Sequence, residues 1–151
     1  MPLEATEAFR SEVARARPTR LVVMLYDEAI TGLVAAINAI RDNDIEARCN
    51  RINVVTELVA TLHLSLDMEK GGDVAEQLGS IYRFILGQLI RINISSDAEK
   101  AAQIIDVLKP LRDAWDEVDR RVEKGEDITL AEAAMLQRVE AAGNRLSIHA
   151  A

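Results

Sequence analysis

Residues 17–30 read RPTRLVVMLYDEAI, and this stretch decides the fold. From there Val22, Tyr26, Ala29, Leu33, Ala36, Ile37 and Ile40 recur at helical spacing until the polar run RDND at residues 41–44. Yet Leu21 to Tyr26 is an unbroken run of six apolar residues, so two faces of the turn are hydrophobic. One stripe is enough to bury a helix against a core; a second face calls for a partner of its own.

The same periodicity continues outward. Ile45, Cys49, Ile52, Val55, Leu58, Val59, Leu62 and Leu66 define a second helix, expected to end at DMEKGGD, where Gly71 and Gly72 permit the positive φ of a turn. Val74, Leu78, Ile81, Ile85, Leu89 and Ile92 define a third, with Asp73 as its expected N-cap. Ser96 and Glu99 have the spacing of a capping box for a fourth, whose stripe is Ala101, Ile104, Leu108, Leu111, Trp115 and Val118. Pro110 lies inside that stripe and predicts a kink or break near Lys109. Beyond EKGED, Thr129 and Glu132 form another capping box ahead of Leu130, Met135, Val139 and Leu146, the pattern of a fifth, shorter helix. The expectation is an all-α chain: an antiparallel four-helix bundle with an additional C-terminal helix. Its divisions are a flexible N-terminal segment (1–17), the bundle (18–122) and a C-terminal helical extension (123–151).

Composition agrees. The chain has 151 residues, 49% hydrophobic and 28% charged, with three prolines and seven glycines, which suits long helices around a core that needs no disulfide. The net charge of −7 argues against nucleic-acid binding, which requires a basic stripe. Acidic residues in MPLEATEAFRSEV stand where a signal peptide carries basic and apolar ones, and no run of 18 apolar residues exists. A cytoplasmic protein without membrane insertion is expected.

The chemistry-bearing residues are few. His63 and His149 are the only histidines, and Glu57 with His63 misses the Glu-x-x-His spacing of di-iron bundles, so no metal or cofactor is expected. Cys49, on an apolar stripe, reads as a packed thiol. KGGD at residues 70–73 lacks the phosphate-loop pattern and a preceding strand. No nucleophile or acid-base pair stands out, and an enzyme is the least supported class.

The third helix repeats the excess of the first: Tyr82, Phe84, Leu86, Ile90 and Ile94 stand beside the Ile81, Ile85, Leu89 and Ile92 set. Either this helix is central and touches all the others, or it forms part of a groove for a partner helix. The positions that widen their stripes beyond one face, and so the candidate partner-binding residues, are Val22, Val23, Tyr26, Ile30, Tyr82, Leu86 and Leu89.

Three blocks carry a family resemblance. RPTRLVVMLYDEAI resembles the first-helix signature of the flagellin export chaperones, the FliS family. SLDMEKGGDVAEQLGSIYRFILGQL is similar to that family's second-to-third helix junction, and RINISSDAEKAAQIIDVLKPLRDAW to its fourth-helix region, with the closing Leu-Arg-x-Ala-Trp. The resemblance implies a non-enzymatic cytoplasmic chaperone that binds the disordered C-terminal segment of flagellin in hydrophobic grooves. It blocks premature polymerisation and assists delivery to a component of the flagellar type III export gate. An adaptor or regulator of flagellar assembly with a different protein partner is the alternative, and homo-oligomers fit either.

The chain departs from that pattern in four places. Ala8, followed by Phe9, stands where the family carries a tyrosine. Arg17 replaces the hydroxyl N-cap before Pro18, Glu28 replaces a small residue, and the tail is longer. From these follow two expectations: Phe9 and Val13, spaced i, i+4, act as a removable N-terminal cover, and the tail helix bearing Leu130, Met135, Val139 and Leu146 acts as an autoinhibitory stand-in for the client.

Overall fold

The computed structural model describes residues 11–12 and 15–127. Four helices follow one another: α1 (Pro18–Arg41), α2 (Ile45–Ser65), α3 (Met68–Ser95) and α4 (Ala98–Glu123). The described residues contain no strand, so the all-α expectation holds. The additional C-terminal helix, with Leu130, Met135, Val139 and Leu146, lies outside the described residues, as do Phe9 and Val13.

Side-chain pairs give the register. Arg17 meets Asp119 and Arg112 meets Asp27, so α4 descends as α1 rises. Arg48 reaches Asn93 and Ser96 while His63 stands against Tyr82, so α2 and α3 also run in opposite senses. α1 packs broadly on both α2 and α4, whereas α3 rests mainly on α2 and meets α4 sparsely. Leu25, Leu33, Leu78, Ile85, Leu108 and Trp115, two from each of three helices, are all buried. The α1–α2 contact is close because Ala29, Gly32 and Ala36 fall on one face, and a Cβ at Gly32 would stand 2.6 Å from Val55 Cγ2.

Several boundaries differ from the sequence expectation. α2 stops at Ser65, and α3 begins at Met68, ahead of the glycines; the chain makes its turn inside α3 at Gly72, with φ 55 and ψ −137. Asp73 follows this break directly, so the longer run of α3 starts where the sequence expects it, after a first helical turn from Met68. The cap of α4 is Asp97, whose carboxylate accepts from the Lys100 amide, and not Ser96, which takes a left-handed φ of 54 and accepts from Arg48. Pro110 breaks nothing: α4 continues from Ala98 to Glu123. Asp106, Lys109 and Pro110 are all exposed, so the carbonyl that loses its helical donor faces water.

α1 has no side-chain cap of its own, since Arg17 cannot accept from an amide. α4 supplies the missing anion. Buried Asp119 accepts 2.7 Å from Thr19 Oγ1 and 3.1 Å from Arg17, placing negative charge at the positive end of the helix. Burial pushes the Asp119 carboxyl up, but the hydrogen bonds from Arg17 and Thr19 and the charges of Arg17 and Arg20 together hold it below the ordinary carboxylate value. Asp119→Ala is expected to destabilise the fold by about 1–3 kcal/mol, chiefly by stranding the Thr19 hydroxyl. Because the carboxyl is depressed, its stabilisation is complete above the unfolded value of 3.8 and is lost as pH falls below it. Urea midpoints of the two proteins should therefore converge in acid. By length and composition α1 could cross a membrane, yet 56% of its most apolar window is buried inside the protein.

Candidate partner-binding surface

Each helix sends one ring to a common level of the interior. Tyr26 of α1 and Tyr82 of α3 share a hydrogen bond 2.5 Å long between their hydroxyls. Trp115 of α4 lies beside Tyr26, and His63 of α2 stands edge-on to Tyr82, ring centres 6.4 Å apart. Burial raises Tyr82 to about 12, the Tyr26 hydrogen bond offsetting part of the rise; burial, then the neighbouring Tyr82, raise Tyr26 well above its usual value. Two polar tips in an apolar core are thus satisfied by each other.

This geometry corrects the reading of the candidate residues as an open face. Val22, Val23, Tyr26, Tyr82 and Leu89 are core, and Ile30 and Leu86 are half-buried against it. The second apolar face of α1 is used by packing on two neighbours, α2 on one side and α4 on the other. The double face of α3 has a different outcome. Tyr82, Ile85, Leu89 and Ile92 are buried, whereas Phe84, Ile90 and Ile94 are 56%, 62% and 80% exposed. With exposed Gly87 they form a stripe down the outer side of α3, flanked by exposed Arg83 and Arg91. Sequence reasoning noted these residues but singled out Tyr82 and Leu89, which are buried, because apolar character alone does not orient a helix. The two arginines, one before Phe84 and one after Ile90, were the available signal for the outward side.

The sparse α3–α4 contact leaves a second apolar surface. Asn93 and Gly79 face α2, so Val74, Ile81 and Gln88, on the opposite flank of α3, line the side toward α4. On α4, Arg112, Asp116 and Asp119 face α1, which turns Val107 and Leu111 toward α3. Ile81, Val107 and Leu111 are half-buried, and Val74 is exposed. Gln88 Oε1 is buried there without a hydrogen-bond partner among the described residues. The outcome is a shallow apolar seam with one buried, unpartnered acceptor beneath it.

At the base of α1, Glu12, Arg15, Ala16, Arg17, Arg20 and Met24 surround a cavity of about 380 Å³. The Glu28 carboxyl is raised by burial, then by Asp27 and by Glu12. Glu12 therefore lies beside Arg20 and Met24 in the first turns of α1.

Other candidates are structural. Buried Arg48 donates to the Asn93 carbonyl at 2.9 Å and to Ser96, a cation on the negative end of α3. Cys49 is half-buried, 3.4 Å from that guanidinium. Among the described residues no three His, Cys, Asp or Glu side chains are grouped to hold a metal ion.

The described residues define an all-helical protein that offers apolar helix surface. Comparison with known proteins makes this specific. The family described as Flagellar protein FliS matches residues 3–122. Among curated relatives, the flagellar secretion chaperone FliS of Campylobacter jejuni is 35% identical over 101 residues, 67% of this chain and 79% of the relative. The chaperone of the same name from Vibrio cholerae is 28% identical over 108 residues, 72% and 79% of the two chains, and that of Salmonella typhimurium 28% over 115 residues, 76% and 85%. The chain belongs to the FliS family of flagellar secretion chaperones.

Proposed function

We propose that this chaperone binds the disordered C-terminal segment of flagellin in the cytoplasm, keeps it from polymerising and hands it to a component of the flagellar export gate. The observation that carries the reading is the α3–α4 seam. It is long, apolar and thinly packed, and it lies on helices whose buried faces are firmly fixed. A client helix laid along it would cover Val74, Ile81 and Phe84 on one side and Val107 and Leu111 on the other, and would offer a donor to Gln88 Oε1. Folding of the client on this surface costs ordering entropy, which only broad apolar contact offsets. The four helices act together as one antiparallel bundle. The Tyr26, Tyr82, Val22, Val23 and Leu89 set is its platform, and Ile30 and Leu86 meet the client only at their exposed edges.

The N-terminal segment is the cover in this reading. The position of Glu12 beside Arg20, Met24 and Glu28 supports it, since Glu12 lies between Phe9 and Val13 in sequence. Flagellin competes with it.

The test is calorimetric titration with a flagellin C-terminal peptide. Phe84→Asp combined with Leu111→Asp should lower affinity by at least about 100-fold, the size of effect seen at interface hot spots, with helical content retained because both side chains are partly in solvent. Binding at parental affinity by a folded double variant would place the client elsewhere.

A further inference from the structure

The outer stripe of α3 is not part of the seam except at Phe84, and it has an occupant within the chain. We infer that residues 132–146 dock in cis along this stripe, parallel to α3, with Glu132 against Arg83 and Glu140 against Arg91. Three observations lead there.

First, the stripe is a long apolar surface on a soluble-looking, charged helix face: Phe84, Gly87, Ile90 and Ile94 are open, and a side chain built on Gly87 meets nothing within 4 Å. Gly87 makes a notch between two larger residues, into which a neighbouring helix can set a long side chain. Second, the charges match in sign and in spacing. Arg83 and Arg91 are eight residues apart, and among the described residues neither has a carboxylate within ion-pair distance; Arg83 donates only to Ser80. Glu132 and Glu140 are also eight apart, with Met135 and Val139 between them, while Arg138 and Arg145 fall on the other side of the helical period. A parallel alignment that joins the first pair joins the second and puts Met135 and Leu136 beside Gly87.

Third, the exit point is right. Tyr26, Tyr82 and Trp115 stand at one level, so Glu123, eight residues further along α4, leaves near the level of Val74 at the base of α3. Gly125, with φ 87, ends α4 there. From that level Arg83 is about 14 Å up the helix at 1.5 Å per residue. Glu126 N is bonded back to Arg121 O, so the free stretch runs from Glu126 to Glu132; extended, its six residues reach up to about 20 Å, which covers the climb and leaves about 14 Å for the crossing to the outer face. A linker this short holds the segment at an effective concentration near the millimolar range, so weak contacts suffice. Because Phe84 borders both surfaces, a docked tail hinders a client in the seam; that consequence rests on the proposed function, the cis contact does not.

Disulfide trapping in the full chain tests the contact. In a Cys49→Ser background, Gly87→Cys paired with Met135→Cys should close an intramolecular disulfide at micromolar protein at least tenfold faster than Val34→Cys, exposed on α1, paired with Met135→Cys. Circular dichroism checks that both remain folded, which two open helix positions permit. Arg83→Glu with Arg91→Glu should slow the first reaction severalfold, and adding Glu132→Arg with Glu140→Arg should restore it. Equal rates at positions 87 and 34, or a disulfide formed only between molecules, would overturn the inference, the second outcome giving the stripe to another copy of the chain. If the cis disulfide forms quickly and flagellin peptide does not slow it, the contact stands and the seam is not the client's place.

Discussion

Tyr82→Asp is expected to abolish cooperative folding rather than only weaken partner binding. Its ring is 2% exposed, and removal of a buried aromatic side chain alone costs about 3–5 kcal/mol. The aspartate would sit among Tyr26, Trp115 and His63, with no buried arginine or lysine beside them, and an isolated carboxylate in such a place adds several kcal/mol or takes up a proton. Total stability for a domain of this size is about 5–15 kcal/mol. Circular dichroism at 25 °C should therefore show lost helix and no sharp thermal transition. Tyr82→Phe keeps the ring and removes one hydroxyl, leaving Tyr26 with the Trp115 contact, so it should cost about 1–2 kcal/mol and stay folded. A Tyr82→Asp protein melting like the parent would mean that the ring is not in the core at all.

The same pair sets the alkaline limit. Tyr82 loses its proton at about 12 in the folded protein, against 10.0 unfolded, because burial penalises the phenolate. An acid whose folded value is raised stabilises the fold fully below the unfolded value and loses that contribution as pH rises through the folded one. Stability should fall between pH 10 and about 12, and less steeply in Tyr82→Phe, measured by urea midpoints across that range.

Much of the fold was legible in the sequence because helix periodicity is a local property. The stripes led by Leu25, Leu33, Ile85, Leu108 and Trp115 are the buried stripes. Boundaries were less so. Ser96 has the spacing of a capping box, but Arg48, 48 residues away, takes its hydroxyl and leaves the neighbouring Asp97 to cap α4. Likewise Arg17 looks like a failed cap until Asp119, 102 residues on, supplies the anion. Long-range partners of this kind leave no local trace. The exposed surface was less legible for a related reason: excess apolar width shows that a helix has two contacts but not which is with its own chain. In α1 both are, through α2 and α4, while in α3 one remains open at Phe84, Ile90 and Ile94.

Gly32→Val should give the second largest loss of stability. The glycine lies where α1 crosses α2 most closely, and the first added carbon already falls 2.6 Å from Val55 Cγ2. Val55 is fully buried and β-branched, so its methyl cannot swing aside without leaving its preferred rotamer, and the Arg51 carbonyl stands 3.9 Å away on the same side. Helix propensity works in the other direction: glycine costs roughly 1 kcal/mol against alanine in a helix interior and less against valine. Overpacking of a filled core costs about 1–3 kcal/mol for small insertions, and three carbons against a stiff neighbour belong at or beyond the top of that range. A net loss of about 2–4 kcal/mol is expected, visible as a lowered urea midpoint. The decisive measurement is the double variant. Val55→Ala alone should destabilise by leaving a cavity, yet in the Gly32→Val background it removes the clashing methyl, and the two changes together should cost less than their sum by at least about 1 kcal/mol. Strict additivity would show that the helices have room to separate at this crossing and that the small residues Ala29, Gly32 and Ala36 do not set their distance.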